Sequence, residues 1–168
     1  GAEVGGGQIA LSEFVDGTID EVRIWNTELD SNTIREWMTK KILPSHSNIT
    51  NLVSYYRFDD ATGTTLNDLA GNNNGTLTNM DPNTDWVHSG AALGDESKFT
   101  YGGTSLLDTL SRGNQITLNN FTGTPDGIHL YTVTDTAENS TYPNTIANAD
   151  STEYFGVFMV DGSSYDVT

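Results

Sequence analysis

The chain of 168 residues has no cysteine and only 7 lysine and arginine residues, against 23 aspartate and glutamate residues. Without cysteine, disulfides and thiolate metal sites are excluded, so stability must come from core packing or from a bound ion. The formal net charge of -16 argues against nucleic acid or an anionic membrane surface as a partner, because both attract basic side chains. No apolar run of about 18 residues occurs, so no membrane insertion is expected.

The chain also lacks the marks of a secretion signal. Residues 1–7 are rich in glycine and have neither a basic nor an apolar region. Because the sequence opens and stops within β patterns, it predicts an internal piece of a longer protein whose flanking domains belong to the same chain.

One helix is predicted in an otherwise β-rich pattern. Residues 19–25 alternate as in a strand, and Asp30 is a suitable N-cap for a helix that Pro44 stops. The helix is expected to run for about three turns and to pack its apolar stripe on a sheet, since so short a helix is not stable alone. The residues of the stripe are Ile34, Trp37 and Met38, and Ile42 continues the same spacing.

The remaining strands divide into two groups. Residues 52–58 read as a strand, and residues 88–97 are small and without periodicity, which predicts a linker between a first domain at 1–87 and a second at 98–168. Alternating patterns return in the second domain at 106–110, 115–121, 128–134 and 154–160.

Five short motifs resemble a known family. They are GTIDEVRIWN at 17–26, YYRF at 55–58, GTT at 63–65, DLAGN at 68–72 and NGTL at 74–77. In this order they resemble a laminin-G-like domain of the concanavalin A-like lectin and glucanase superfamily, of the kind found in large secreted and cell-surface proteins of Bacteroidetes. One letter differs, because Ala70 stands where that family usually has serine.

The resemblance implies an all-β fold, namely a partial jelly roll or β-sandwich with one short helix, followed by a second antiparallel β-sandwich that is also incomplete. A whole domain of this family is longer than residues 1–87, so further strands are expected upstream. It also implies a location outside the cell or on its surface.

Calcium and carbohydrate are the ligands that the resemblance implies. A structural Ca²⁺ would fall at Asp20, Asp68 and Asn72, and oxygen ligands of this kind suit the ion. The alternative is that Asp20 ends a hairpin and that Asp68 makes an Asx turn with its own backbone. Carbohydrate would bind to aromatic side chains, for which the candidates are Trp25, Trp86 and Tyr56, whereas Trp37 is expected in the core.

Catalysis is not predicted. Glycoside hydrolysis requires two carboxylates at a set separation, but the adjacent Asp20 and Glu21 point to opposite faces of a strand. The three histidines lie in no nucleophile or general-base motif and are expected to be exposed. They are His46, His88 and His129.

The expected function is therefore non-catalytic binding or adhesion to an extracellular glycan or surface protein. The alternatives are a ligand-free spacer in a surface filament or stalk, and an accessory module of a secreted polysaccharide-degrading enzyme. The resemblance also implies O-glycosylation in Asp-Ser/Thr-apolar triplets, at Thr109, Thr136 and Ser151.

Overall fold

The fold was analysed in a computed structural model that describes residues 17–103, 105–109, 115–122, 126–135, 152–161 and 164–167. These residues form mostly strands with one α-helix, so the coarse prediction of an all-β chain with one short helix is confirmed for this part of the chain. The sheets are small, with two or three strands each. No helix in the described ranges is long and apolar enough to cross a membrane.

The described residues divide into two compact units. The first unit contains the residues up to Asn26 and Leu52–Gly90, and the second contains Thr27–Asn51 and the residues from Ala91 onward. The sequence prediction assigned residues 27–51 to the first domain and treated 88–97 as a linker. In the structure, residues 27–51 belong to the second unit, and the strand that begins at Glu96 lies partly within the predicted linker.

The first unit contains two small antiparallel sheets. Strand β1 (Val22–Trp25) pairs with β2 (Leu52–Tyr56), with Val22 opposite Tyr56, and β3 (Thr65–Leu66) pairs with β4 (Gly75–Thr76). A 3₁₀ turn at Ile49–Asn51 leads directly into β2. Ser54 and Tyr55 are neighbours in β2 and both are buried, so both faces of that strand are covered.

The second unit contains two antiparallel sheets of three strands. One has the order β5 (Glu96–Tyr101), β8 (Gly127–Val133), β9 (Tyr154–Val160), and the other has the order β10 (Ser164–Val167), β7 (Gln115–Thr122), β6 (Leu106–Thr109). The sheets share one hydrophobic cluster, built on the buried Leu118, Ile128 and Leu130. The side chains packed against this cluster are Leu106, Ile116, Phe155, Val157 and Met159.

Two cross-strand pairs of the β5–β8–β9 sheet consist of a glycine and a tyrosine whose ring lies over it. Gly127 faces Tyr101 across the sheet and Gly156 faces Tyr131, and each ring occupies the position that a Cβ of the glycine would take. Rings of this kind compensate for the missing side chain of a strand glycine. Any other residue at 127 or 156 would displace the ring.

Helix α1 (Ser31–Trp37) begins where the sequence predicts, because the Asp30 carboxylate accepts the N–H groups of Asn32 at 2.9 Å and Thr33 at 3.0 Å. The expected length of about three turns was wrong, since the helix ends at Trp37. Two hydrogen bonds then draw the chain toward β5: the Gly94 N–H donates to the Thr39 carbonyl and the Lys41 N–H donates to the Gly94 carbonyl.

The predicted apolar stripe is only partly correct. Trp37 is buried at 6% exposure, as expected, whereas Ile34 is 50% and Met38 is 38% exposed. The Lys40 ammonium group lies 3.8 Å from the ring centroid of Trp37, so a basic side chain covers part of the tryptophan. In a helix of two turns only the last residue reaches the interior of the unit.

Candidate functional site

Asp68, a predicted calcium ligand, is the centre of a buried hydrogen-bond network in the first unit. Its Oδ1 accepts the backbone N–H groups of Tyr55 at 2.9 Å and Ala70 at 3.0 Å, and its Oδ2 accepts that of Asn73 at 3.1 Å. The bond from Ala70, two residues further on, is the Asx turn that the sequence offered as the alternative. The bond from Tyr55 is not part of that turn, and it connects the loop to β2.

The Asp68 carboxylate closes the outer edge of β2. Tyr55 donates its N–H to Asp68 and accepts the N–H of Leu69 at 2.9 Å on its carbonyl, so the loop pairs with the strand as a neighbouring strand would. Asn73 adds an Nδ2 bond to the Ser54 hydroxyl at 3.1 Å and accepts the Tyr56 phenol on its carbonyl at 2.5 Å. The DLAGN motif is therefore part of the scaffold.

Gly71 is favoured in this loop because the backbone and the Asp68 carboxylate approach it closely. A Cβ at this position would lie 3.0 Å from the Asp68 Oδ2 and 3.1 Å from the Val53 carbonyl oxygen. A side chain at residue 71 would therefore require these two oxygens to shift by a few tenths of an ångström.

The hydrogen bonds also set the charge of Asp68. Burial raises the pKa of the carboxyl group. The hydrogen bonds that it accepts lower the pKa by more than burial raises it, so that the pKa is about 2. These bonds come from the N–H groups of Tyr55, Ala70 and Asn73 and from the Ser54 side chain. Asp68 is therefore ionised at any physiological pH, and its charge is satisfied internally.

The arrangement around Asp68 leaves little room for a metal ion. All three of its accepted N–H groups would compete with a cation, and Asp20 uses its Oδ1 to accept the Glu21 N–H at 2.8 Å. Asn72 is exposed, and the described ranges contain no group of three or more His, Asp or Glu side chains suited to a metal. Calcium at Asp20, Asp68 and Asn72 stays a prediction.

Beside this network, Glu21 organises a charged cluster that the sequence did not single out. Its carboxylate binds Arg23 at 2.7 Å and the Tyr55 phenol at 2.6 Å, and it lies 3.5 Å from Arg57. The side chain of Glu21 is only 11% exposed, and its backbone has a φ of +52°, a conformation that non-glycine residues seldom adopt. The cluster places the negative charge of Glu21 near Arg57, the residue that follows β2.

An open surface depression of about 260 Å³ lies next to Arg57. It combines donors and acceptors with apolar surface: the Arg57 guanidinium pairs with the Asp59 carboxylate at 2.5 Å, and Asp60 accepts the Asn67 amide. The residues that line it are Arg57, Phe58, Asp59, Asp60, Asn67 and Leu69. Phe58, one of the lining residues, has a φ of +58°, a backbone conformation that non-glycine residues seldom adopt.

The predicted carbohydrate ligands Trp25, Trp86 and Tyr56 are not among the residues that line this depression. Trp25 is half-buried at the end of β1, and Trp86 donates its Nε1–H to the Gly63 carbonyl at 3.1 Å. The Tyr56 phenol is used in the Asn73 bond described above. The depression itself was missed, although the pair of acids after the YYRF motif and the amide of Asn67 were visible in the sequence.

The expected exposure of the histidines was wrong for two of the three. His129 is 0% and His46 is 2% exposed, whereas His88 is exposed. His46 packs against Trp37 with 4.7 Å between ring centroids, and His129 lies between Ile128 and Leu130 in the centre of β8. Its place within an apolar alternating run was the sequence signal of burial.

Of the three predicted glycosylation positions, one lies within the described residues. Thr109 is the last residue of β6, where its backbone pairs with Gln115, and Thr136 and Ser151 lie outside the described residues. Glycosylation at all three stays a prediction.

Comparisons of the chain with protein-family models, with curated proteins and with solved structures each gave no match. The likeness to laminin-G-like domains therefore rests on the five sequence motifs alone.

Proposed function

We propose that the chain is a non-catalytic binding module of a secreted or cell-surface protein and that it binds carbohydrate in the depression beside Arg57. The observation that carries this proposal is the composition of the depression, where carboxylate, guanidinium and amide groups stand beside the apolar side chains of Phe58 and Leu69. Sugars present hydroxyl groups on their edges and C–H groups on their faces, so they require both kinds of contact.

The size of the depression suits a small ligand. Its volume of about 260 Å³ lies just below the range of about 300–1,000 Å³ typical of pockets for drug-sized molecules. One sugar ring at a chain end or branch fits this description better than a long segment of polysaccharide.

The charges also favour a neutral glycan. The depression has two aspartates and one arginine, and that arginine is already paired with Asp59 and lies near Glu21. The depression therefore has one more carboxylate than it has guanidinium groups, and an anionic sugar would be repelled at close range. The resemblance to laminin-G-like domains supports carbohydrate as the ligand class. We also propose that the fold is a partial jelly roll followed by a second β-sandwich.

The proposal is tested by a glycan array with calcium and then with chelator, followed by titration calorimetry on any glycan that binds. Asp60→Asn and Leu69→Ala are expected to weaken binding at least tenfold, because one removes a charged acceptor and the other an exposed apolar contact. Asp81→Asn, which alters an exposed aspartate of the same unit outside the depression, is the matched control and should bind as the parent does.

Binding to no glycan under either condition would favour the alternative of a ligand-free spacer. Calcium is tested on the same sample by comparing unfolding midpoints with and without chelator, because an ion that binds only the folded state raises its stability. An unchanged unfolding midpoint would show that no stabilising calcium is bound, and it would leave the proposed glycan site unaffected.

A further inference from the structure

His129 connects the segment Thr27–Asn51 to the β5–β8–β9 sheet of the second unit. Its Nδ1 lies 3.4 Å from the Thr39 hydroxyl, just after α1, and its Nε2 lies 3.1 Å from the Tyr101 phenol on β5. The Thr39 hydroxyl also pairs with the Ser97 hydroxyl at 2.7 Å. One buried imidazole thus joins the segment that carries the helix to two strands.

The surroundings of the ring suit a neutral imidazole. Phe99 stacks on it with 5.6 Å between centroids, and Phe158 lies at 6.1 Å. The described groups that contact the ring are hydroxyls and aromatic rings, which offer no opposite charge to an imidazolium ion.

A positive charge lies near the ring. Arg35 on α1 places its guanidinium 3.8 Å from the ring centroid of Tyr101, and Tyr101 contacts His129 directly. Titratable and charged side chains occur on every element around the ring. They are Arg35 and Glu36 on α1, Lys40, Lys41 and Asp95 in the segments on either side of the Thr39–Gly94 hydrogen bond, Glu96, Lys98 and Tyr101 on β5, Tyr131 on β8, Glu153 just before β9 and Tyr154 at its start. Lys41 and Asp95 pair with each other at 2.8 Å, so that carboxylate is already neutralised.

We propose that His129 is a pH-sensitive latch, whose protonation at mildly acidic pH releases Thr27–Asn51 from the β5–β8–β9 sheet. In the attached state a proton on the ring would create a buried charge close to Arg35, whereas in the released state the ring is hydrated. Other contacts hold the segment at neutral pH, chiefly the backbone bonds between Thr39, Lys41 and Gly94.

The sign follows from the direction of the pKa shift. Burial lowers the pKa of His129, and the positive charge of Arg35 lowers it further. The released state, with an ordinary pKa of about 6.5, therefore takes up the proton first, and attachment weakens as the pH falls below that value. Asp95 does not share this window, since burial raises its pKa but the bonds from Lys41 and Thr134 lower it below 3.8 overall.

Amide hydrogen exchange on the intact chain tests the latch. The N–H groups of Lys41 and Gly94 report whether the segment is attached. Lys41 donates to the Gly94 carbonyl and Gly94 donates to the Thr39 carbonyl, so both bonds join the segment to the residues just before β5. Their protection, corrected for intrinsic exchange, is expected to fall by up to about tenfold per pH unit below pH 6.5 in the parent chain. It should become independent of pH between 5 and 7 in His129→Gln.

His46→Gln is the matched control, since it removes the other buried histidine of the unit and should keep the pH dependence. Equal protection at pH 7 and pH 5.5 in the parent would overturn the proposal, as would loss of the pH dependence in His46→Gln alone. If His129→Gln does not fold, an NMR titration of the parent decides: the latch requires that the His129 ring protonates together with loss of Lys41 protection. Protonation at an ordinary pKa with protection retained would refute it.

Discussion

Replacing Asp68 with asparagine should destabilise the first unit, because the carboxylate accepts three backbone N–H groups at once. An asparagine has one acceptor oxygen, so it can keep the two bonds made by Oδ1 but turns an NH₂ group toward the Asn73 N–H. Two donors then face each other in a buried place, since Asp68 is only 8% exposed.

Two estimates of the magnitude agree. Leaving a buried donor without a partner costs about 1–3 kcal/mol. The difference between the ordinary pKa of 3.8 and the folded value of about 2 corresponds to about 2 kcal/mol of stability. Because the pKa is lowered in the folded state, this stability is present above about pH 4 and is lost as the pH falls toward 2.

Amide exchange at Asn73 is the assay, since that N–H donates to the Asp68 Oδ2, which asparagine replaces with an NH₂ group. At pH 6, Asp68→Asn should exchange about 30-fold faster, the factor that corresponds to about 2 kcal/mol. Asp81→Asn is the control, because Asp81 makes an exposed Asx turn to Asn83 in the same unit. A change of less than threefold in Asp68→Asn, or the same change in the control, would refute this reasoning.

Two paired substitutions test the interior of the second unit. Trp37→Ala should cost about 3–5 kcal/mol in urea unfolding, whereas Ile34→Ala, on the same helix but 50% exposed, should cost less than about 1 kcal/mol. Equal losses would mean that Trp37 is not the residue that anchors the helix. Leu118→Ala should cost about 2–5 kcal/mol, because Leu118 is completely buried between the two sheets, and Leu107→Ala, at 48% exposure, should have little effect. A small effect of Leu118→Ala would show that the shared cluster does not stabilise the unit.

Local features were predictable from the sequence because their causes are local. Asp30 caps α1 through bonds to residues two and three positions away, and the Asx turn of Asp68 reaches Ala70 two positions away. Burial of Trp37 followed from helical spacing, although the same spacing wrongly included Ile34.

The features that the sequence did not predict depend on contacts between distant residues. Asp68 reaches Tyr55, 13 residues away, and Thr39 reaches His129, 90 residues away. Spacing carries no information about such pairs. The sequence therefore contained no sign that Lys41 is hydrogen-bonded to Gly94, which lies in the predicted linker. The depression was missed for the same reason, since Asn67 joins Asp60 only after the chain has turned.

The central claim is that the first unit binds a neutral glycan beside Arg57. Its most direct test is an NMR titration of the isotope-labelled chain with the glycans that an array selects. We expect saturable shifts that are largest at the backbone amides of residues 57–60 and 67–69 and that require at least tenfold more glycan in Asp60→Asn. Saturable shifts centred elsewhere, or binding that Asp60→Asn leaves unchanged, would contradict it.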